Sequence, residues 1–217
     1  MQFFVQGAFC EIRPARRVFH YDPTGYSEEV DMSQTDKIFI DALQLERDCW
    51  QLASNIFKEG HDFDVIAGIT RGGAQISIYM QEVFALLSGK PKAFTTIHAQ
   101  SYTGVFEADE EVRVENLKSL AARMNPDSRL LIVDDIFDRG KTFKAVYEKV
   151  INEIDCDEAH VMTAALYYKP ENNLVDMLPD FYQRTFGSND WIVLPHELEA
   201  LSREELAAKG FVWPEGL

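Results

Sequence analysis

The sequence predicts an α/β fold: a mostly parallel central β-sheet flanked by helices. Three observations carry this prediction. The apolar run Leu130-Leu131-Ile132-Val133 ends in two adjacent carboxylates, Asp134 and Asp135. After a short loop, apolar residues recur at Phe143, Val146, Tyr147, Val150 and Ile154, which is helical spacing. A second run, Asp64 to Ile69, gives way to Thr70-Arg71-Gly72-Gly73 and then to helical spacing through Ile76, Tyr79, Met80, Val83, Phe84 and Leu87. Repeated strand–loop–helix units of this kind build parallel sheets, and ligands bind at the loops that follow the strands.

The elements follow in order. Phe3-Phe4-Val5 and Val18 to Tyr21 read as short strands, with a basic cluster of Arg13, Arg16 and Arg17 between them. Asp22-Pro23-Thr24-Gly25 is a turn. From about Asp31 a helical pattern develops through Ile38, Leu45, Trp50, Leu52, Ile56 and Phe57, and ends near Gly60. The strand at Asp64–Ile69 and its helix come next. Ala93 to His98 reads as another strand. The polar stretch from Gln100 to Glu111, with Gly104 and four acids, reads as a mobile loop, from which Val112-Arg113-Val114 returns. Asn116 to Met124 reads as a helix, and Asn125-Pro126-Asp127 as a turn into the central strand. Ala159 to Leu166 is a further strand candidate, Leu198 to Lys209 a polar helix, and Phe211-Val212-Trp213-Pro214 a tail packed onto the body. The chain is expected to comprise an N-terminal extension, 1–36, and one globular domain, 37–217.

Composition narrows the function. A length of 217 residues suits one elaborated α/β domain. With 36 acids against 21 Lys plus Arg, the net charge of −15 argues against nucleic acid or an anionic membrane as partner. Cys10, Cys49 and Cys156 are scattered without a C-x-x-C, as expected of reduced thiols in a cytoplasmic protein. No signal peptide and no run of membrane-spanning length is apparent.

The chemistry concentrates after the central strand. Asp138-Arg139-Gly140-Lys141-Thr142 falls at a helix N-terminus, where backbone amides and the helix dipole favour an anion. Gly140 permits close approach or positive φ, and the Thr142 hydroxyl can donate to a phosphate oxygen. Gly140-Lys141-Thr142 ends like a nucleotide P-loop, but that motif requires glycine where Asp135 stands. Two adjacent carboxylates suit the vicinal hydroxyls of a ribose or a hydrated Mg²⁺. Arg71-Gly72-Gly73 reads as a second anion site.

These residues resemble a known family. Val133-Asp134-Asp135-Ile136-Phe137-Asp138-Arg139-Gly140-Lys141-Thr142 is similar to the 5-phosphoribosyl-1-pyrophosphate (PRPP) signature of the type I phosphoribosyltransferases. Tyr167-Tyr168-Lys169-Pro170 and Asp190-Trp191-Ile192-Val193-Leu194-Pro195 resemble the purine-recognising segments of its 6-oxopurine branch, the hypoxanthine and xanthine–guanine enzymes. The resemblance spans roughly residues 42–197 and implies the type I fold with a small hood built from the chain termini. It implies that Asp138 to Thr142 hold the 5′-phosphate, Asp134 and Asp135 the ribose hydroxyls, and Arg71, Gly72 and Gly73 the pyrophosphate. It implies Asp138 as the base that takes the purine proton. Lys169 would bond the purine O6, and Trp191 and Ile192 would hold the ring. Asp135, aided by Glu197 through water, would order Mg²⁺. Ser101-Tyr102 would begin a closing loop. The implied activity is transfer of phosphoribosyl from PRPP to hypoxanthine, guanine or xanthine, in purine salvage, by a cytoplasmic homodimer or homotetramer. His196 departs from the pattern, standing where the xanthine–guanine enzymes have a second aromatic, and residues 1–36 match nothing in it. A PRPP-binding regulator, or the same fold acting on another base, is the alternative.

Overall fold

The computed structural model describes residues 37–102, 111–199 and 201–214. Its elements, in order, are β1 (Lys37–Phe39), α1 (Ala42–Lys58), β2 (Val65–Thr70), α2 (Gly72–Ser88), β3 (Ala93–Tyr102), β4 (Glu111–Glu115), α3 (Leu117–Ala121), β5 (Leu130–Phe137), α4 (Lys141–Glu153), β6 (Val161–Tyr168), β7 (Phe181–Thr185), β8 (Trp191–Val193) and α5 (Arg203–Ala208). Short 3₁₀ turns occupy Glu158–His160 and Pro170–Asn172.

Six strands form the main sheet in the order β4-β3-β2-β5-β6-β7. Every pairing in it is parallel except β3 with β4. A strand buried on both faces reads as a continuous apolar run, and β5 does so from Leu130 to Val133. Its side chains alternate between two cores, as a period of two requires. Leu131 and Val133 pack with Leu45, Leu52 and Ile56 of α1 and with Ile76, Met80 and Phe84 of α2. Leu130 and Ile132 pack with Leu117 and Leu120 of α3 and with Phe143, Val146 and Val150 of α4. Each such side chain contributes about 1.5–3 kcal/mol when fully buried. This is the α/β sandwich the sequence predicts.

The hood is the second, two-stranded sheet. β1 pairs in parallel with β8, Lys37 opposite Trp191 and Ile38 opposite Ile192. Ile38 is therefore in a strand, which corrects the helix expected from about Asp31. Helix α1 begins only at Ala42 because the Asp41 carboxylate caps it, accepting from the Gln44 N–H at 2.7 Å. Trp50, expected on the apolar face of that helix, is 47% exposed. The helix expected over 198–209 shortens to Arg203–Ala208, opened by a capping box between Ser202 and Glu205. The one expected over 116–124 shortens to α3, behind an Asn116 in the left-handed region. Strand β7 was not legible in the sequence. It lies at the sheet edge and is tied to α1 through the buried Asp48, which accepts from the Tyr167 hydroxyl at 2.9 Å and from Arg184 at 2.7 Å. Burial and the Asp48 charge push the Tyr167 phenol well above its ordinary range.

The C-terminal tail expected to pack onto the body is exposed at Phe211, Val212 and Trp213; its one ring contact is Trp213 with the Arg203 guanidinium, 4.5 Å from the centroid, among the described residues. The expected strands at 3–5 and 18–21, the Arg13–Arg17 cluster and the loop body at 103–110 lie outside the described residues. Among the described residues, no helix is long and apolar enough to cross a membrane.

Candidate functional site

The site begins at the carboxyl end of β5. Asp134 is buried, and its Oδ1 accepts from the Asp135 N–H at 3.0 Å. Asp135 Oδ1 accepts from the Ile136 N–H at 2.7 Å. Burial raises both carboxyls above the usual range. The neighbouring Asp135 charge adds to the rise at Asp134, while the Glu197 charge raises Asp135 and His196 lowers it. Two carboxylates packed this closely favour a partner that supplies positive charge or hydroxyl donors.

The second component is the loop into α4. Gly140 takes φ +78°, and a Cβ there would lie 2.5 Å from Val175 Cγ2 and 2.7 Å from the Phe137 ring, so glycine is required twice over. No side chain caps α4. The helix end opens into a cavity of about 240 Å³ whose lining includes Asp134, Asp138, Arg139, Gly140 and Thr142. An uncapped N-terminus facing a cavity is chemically suited to an anion, through its exposed amides and the helix dipole. Lys141 lines the same cavity.

The third component comes from β2. The Thr70–Arg71 peptide is cis, and α2 starts at once, with no side-chain cap at Arg71. A Cβ on Gly72 would overlap the Asp135 carboxylate. One on Gly73 would lie 2.5 Å from the Val133 carbonyl oxygen and 2.8 Å from Asp134 Cα. The two glycines therefore let the β2–α2 corner press directly against the twin carboxylates. This contact joins two loops some sixty residues apart in sequence into one site. The Thr70 hydroxyl also shares a hydrogen bond of 2.9 Å with His98 Nδ1, at the end of β3.

The fourth component is the expected base side. Lys169 follows β6, and its N–H donates to the Phe137 carbonyl at 2.9 Å, fixing it beside the loop between β5 and α4. The residue is 9% exposed. Trp191 opens β8 in the hood and is 47% exposed. The Lys37 ammonium lies 5.1 Å from the Trp191 ring centroid and is itself held by Glu205 at 2.7 Å. Ile192 differs from its neighbour: it is buried in the α1–α2 core. Glu197 spends Oε2 on the Leu194 N–H at 2.8 Å, closing its own turn. Among the described residues, no three His, Cys, Asp or Glu side chains form a metal-binding group.

One residue at the site was missed by the sequence reading. Asn172 Nδ2 donates to Asp138 Oδ1 at 2.6 Å and to the Ser188 carbonyl at 3.1 Å. It lies between Lys169 and Trp191, in a stretch with no periodicity to place it.

Comparison with known proteins identifies the family and the fold. The model of the phosphoribosyl transferase domain matches residues 38–200. The crystal structure of a purine phosphoribosyltransferase from Pyrococcus horikoshii superposes with a TM-score of 0.58 at 25% identity, covering 77% of this chain and 98% of that one. A xanthine-guanine-hypoxanthine phosphoribosyltransferase from Helicobacter pylori gives 0.61 at 16% identity over 80% and 99%. A hypothetical protein from Neisseria gonorrhoeae with bound ppGpp gives 0.60 at 21% over 81% and 97%. The last two similarities establish the fold alone. No curated protein sequence matches the chain.

Proposed function

The chain belongs to the phosphoribosyl transferase family, and on that premise we propose that it transfers the 5-phosphoribosyl group of PRPP to a 6-oxopurine, releasing pyrophosphate. The observation that supports this reading is the contact of Gly72 and Gly73 with Asp135 and Asp134, which brings the β2–α2 and β5–α4 corners together at the carboxylate pair. The substrate has the same order of groups: phosphate, diol, pyrophosphate. The Pyrococcus horikoshii relative is a purine enzyme, which supports the choice of base.

In this mechanism the α4 amides and the Thr142 hydroxyl hold the 5′-phosphate, while Arg139 and Lys141 supply positive charge. Asp134 and Asp135 accept from the ribose hydroxyls. Arg71 and the amides of Gly72 and Gly73 hold the pyrophosphate. The purine stacks on Trp191, with Ile192 forming the strand behind it. The Lys169 ammonium, which can only donate, bonds O6 and disfavours the amino group of adenine. The base nitrogen forms a bond to C1 of the ribose as the C1–oxygen bond to pyrophosphate breaks. The proton on that nitrogen passes to Asp138. General-base assistance of this kind contributes about 10²–10⁴-fold.

The carboxylate pair also fits Mg²⁺. Its charge is buried and self-repelling, and Mg²⁺ commonly takes one or two carboxylates while keeping waters and substrate oxygens. Asp135 would hold it, with Glu197 acting through water. When bound, the metal neutralises charge on the departing pyrophosphate. The reading extends to purine salvage by a cytoplasmic homodimer or homotetramer.

The test is pyrophosphate release with PRPP and Mg²⁺ against hypoxanthine, guanine, xanthine, adenine and uracil. Release with a 6-oxopurine and not adenine is expected. Release only with adenine or uracil would overturn the base assignment. PRPP binding without release would make the protein a regulator.

A further inference from the structure

Residues 170–175 form a strap across the loop between β5 and α4. Three contacts hold it. Asn172 Nδ2 donates to Asp138 Oδ1 at 2.6 Å. The Leu174 N–H donates to the Arg139 carbonyl at 3.1 Å. Val175 packs closely on Gly140, its Cγ2 2.5 Å from where a Cβ would lie. The strap starts immediately after Lys169, and the Asn172 N–H returns to the Lys169 carbonyl at 3.2 Å. The second Asn172 amide bond, to the Ser188 carbonyl, reaches the turn that leads into Trp191. One residue therefore touches the loop after β5 and the approach to the tryptophan through its side chain, and the lysine turn through its backbone.

Among the described residues, the Asp138 carboxylate has no other hydrogen-bond partner. From this geometry, and resting on the transferase reading above, we infer that Asn172 is the positioning residue of Asp138. Its amide takes Oδ1 and turns the carboxylate so that Oδ2 is left to accept the purine proton. An asparagine fits this task because both protons of one nitrogen are used, one for the acid and one for the Ser188 carbonyl. Aspartate has the same shape and no donor.

That difference supplies the experiment. Asn172→Asp and Asn172→Ala are compared with the wild-type protein for pyrophosphate release, with kcat and KM for PRPP measured separately and folding checked by thermal melting. Asn172→Ala is expected to lower kcat about 10–100-fold, the scale of one hydrogen bond to a charged group. KM for PRPP should stay within about threefold, because the backbone amides that hold the phosphate remain. Asn172→Asp is expected to be the worse variant despite its matching shape, because it sets a second carboxylate against Asp138. If Asn172 merely ties two loops together, both variants keep kcat near the wild-type value, and KM rises with a falling melting temperature. That result, or wild-type kcat in either variant, would overturn the inference while leaving the transferase reading intact. A second measurement needs no turnover. The Asn172 side-chain amide protons in ¹⁵N NMR should shift on Asp138→Ala. No shift would overturn the inference on its own, whereas a wild-type protein inert with every base would instead defeat the transferase reading.

Discussion

The corners at the ends of β2 and β5 are built from the same parts and solve opposite problems. Each is a buried strand running into a helix that no side chain caps. At β2 the loop is almost absent, and its glycines are needed because carboxylates and backbone from β5 occupy the space a Cβ would take. At β5 the loop is longer, its glycine is needed for positive φ, and it opens a cavity. The first corner is pressed against its neighbour; the second is crossed by the strap, which contacts Asp138, Arg139 and Gly140. Crowding by fixed backbone and crowding by a mobile side chain differ in how much the protein can yield, and substitutions should expose that difference.

The largest effect is expected at the crowded corner. Gly73→Val sets branched carbon against the Val133 carbonyl and Asp134 Cα, neither of which can swing away. Pyrophosphate release should vanish, and thermal melting should show a loss of about 1–3 kcal/mol, the usual cost of overpacking a tight contact. Near-normal activity would mean that the two corners do not form one site. Next is Asp138→Asn at the open corner, which should lower kcat by about 10²–10⁴ while PRPP binding by calorimetry persists. Full turnover would remove Asp138 as the base. Gly140→Ala is smaller: the left-handed backbone costs about 1–2 kcal/mol, and Val175 can shift. It should raise KM for PRPP more than it lowers kcat. A loss greater than that of Gly73→Val would reverse the comparison.

The smallest effect separates stability from function. Asp134 has a carboxyl raised by burial and by Asp135, so between the unfolded and the raised folded value the folded state holds a proton that the unfolded state has released. Stability attributable to this group is therefore greatest in acid and is lost as pH rises above about 3.9, the unfolded carboxyl value, toward the raised folded value. Asp134→Asn should raise the melting temperature of the free protein at neutral pH and weaken PRPP binding. A lower melting temperature would show that the pair stabilises the fold.

Much of the frame was legible. The runs at 65–69 and 130–133 could only be buried strands, and the helical spacing after each placed α2 and α4 within a residue or two. Asp134, Asp135 and Asp138 to Thr142 stood out because acids, glycine and threonine at a strand–helix junction have few purely structural uses. Asn172 did not stand out, since an asparagine in an aperiodic stretch reads as an ordinary turn residue. Ile38 was drawn into α1 because a three-residue strand has no period of its own to show. Sequence also does not reveal that one oxygen of Glu197 accepts from the Leu194 N–H, three positions back, which leaves the other for a water-mediated role.

By itself, then, the sequence determined the alternation of strand and helix, the two glycine corners and the chemistry of the central loop, because these depend on neighbours within one turn or one strand. Only the tertiary structure decided what depends on distant partners. The pairing of β1 with β8 makes the hood, Gly72 and Gly73 meet Asp135 and Asp134 across the sheet, and Asn172 reaches Asp138 across 34 residues. Periodicity reports which face of an element is buried, and the packing of the whole chain sets what lies against that face.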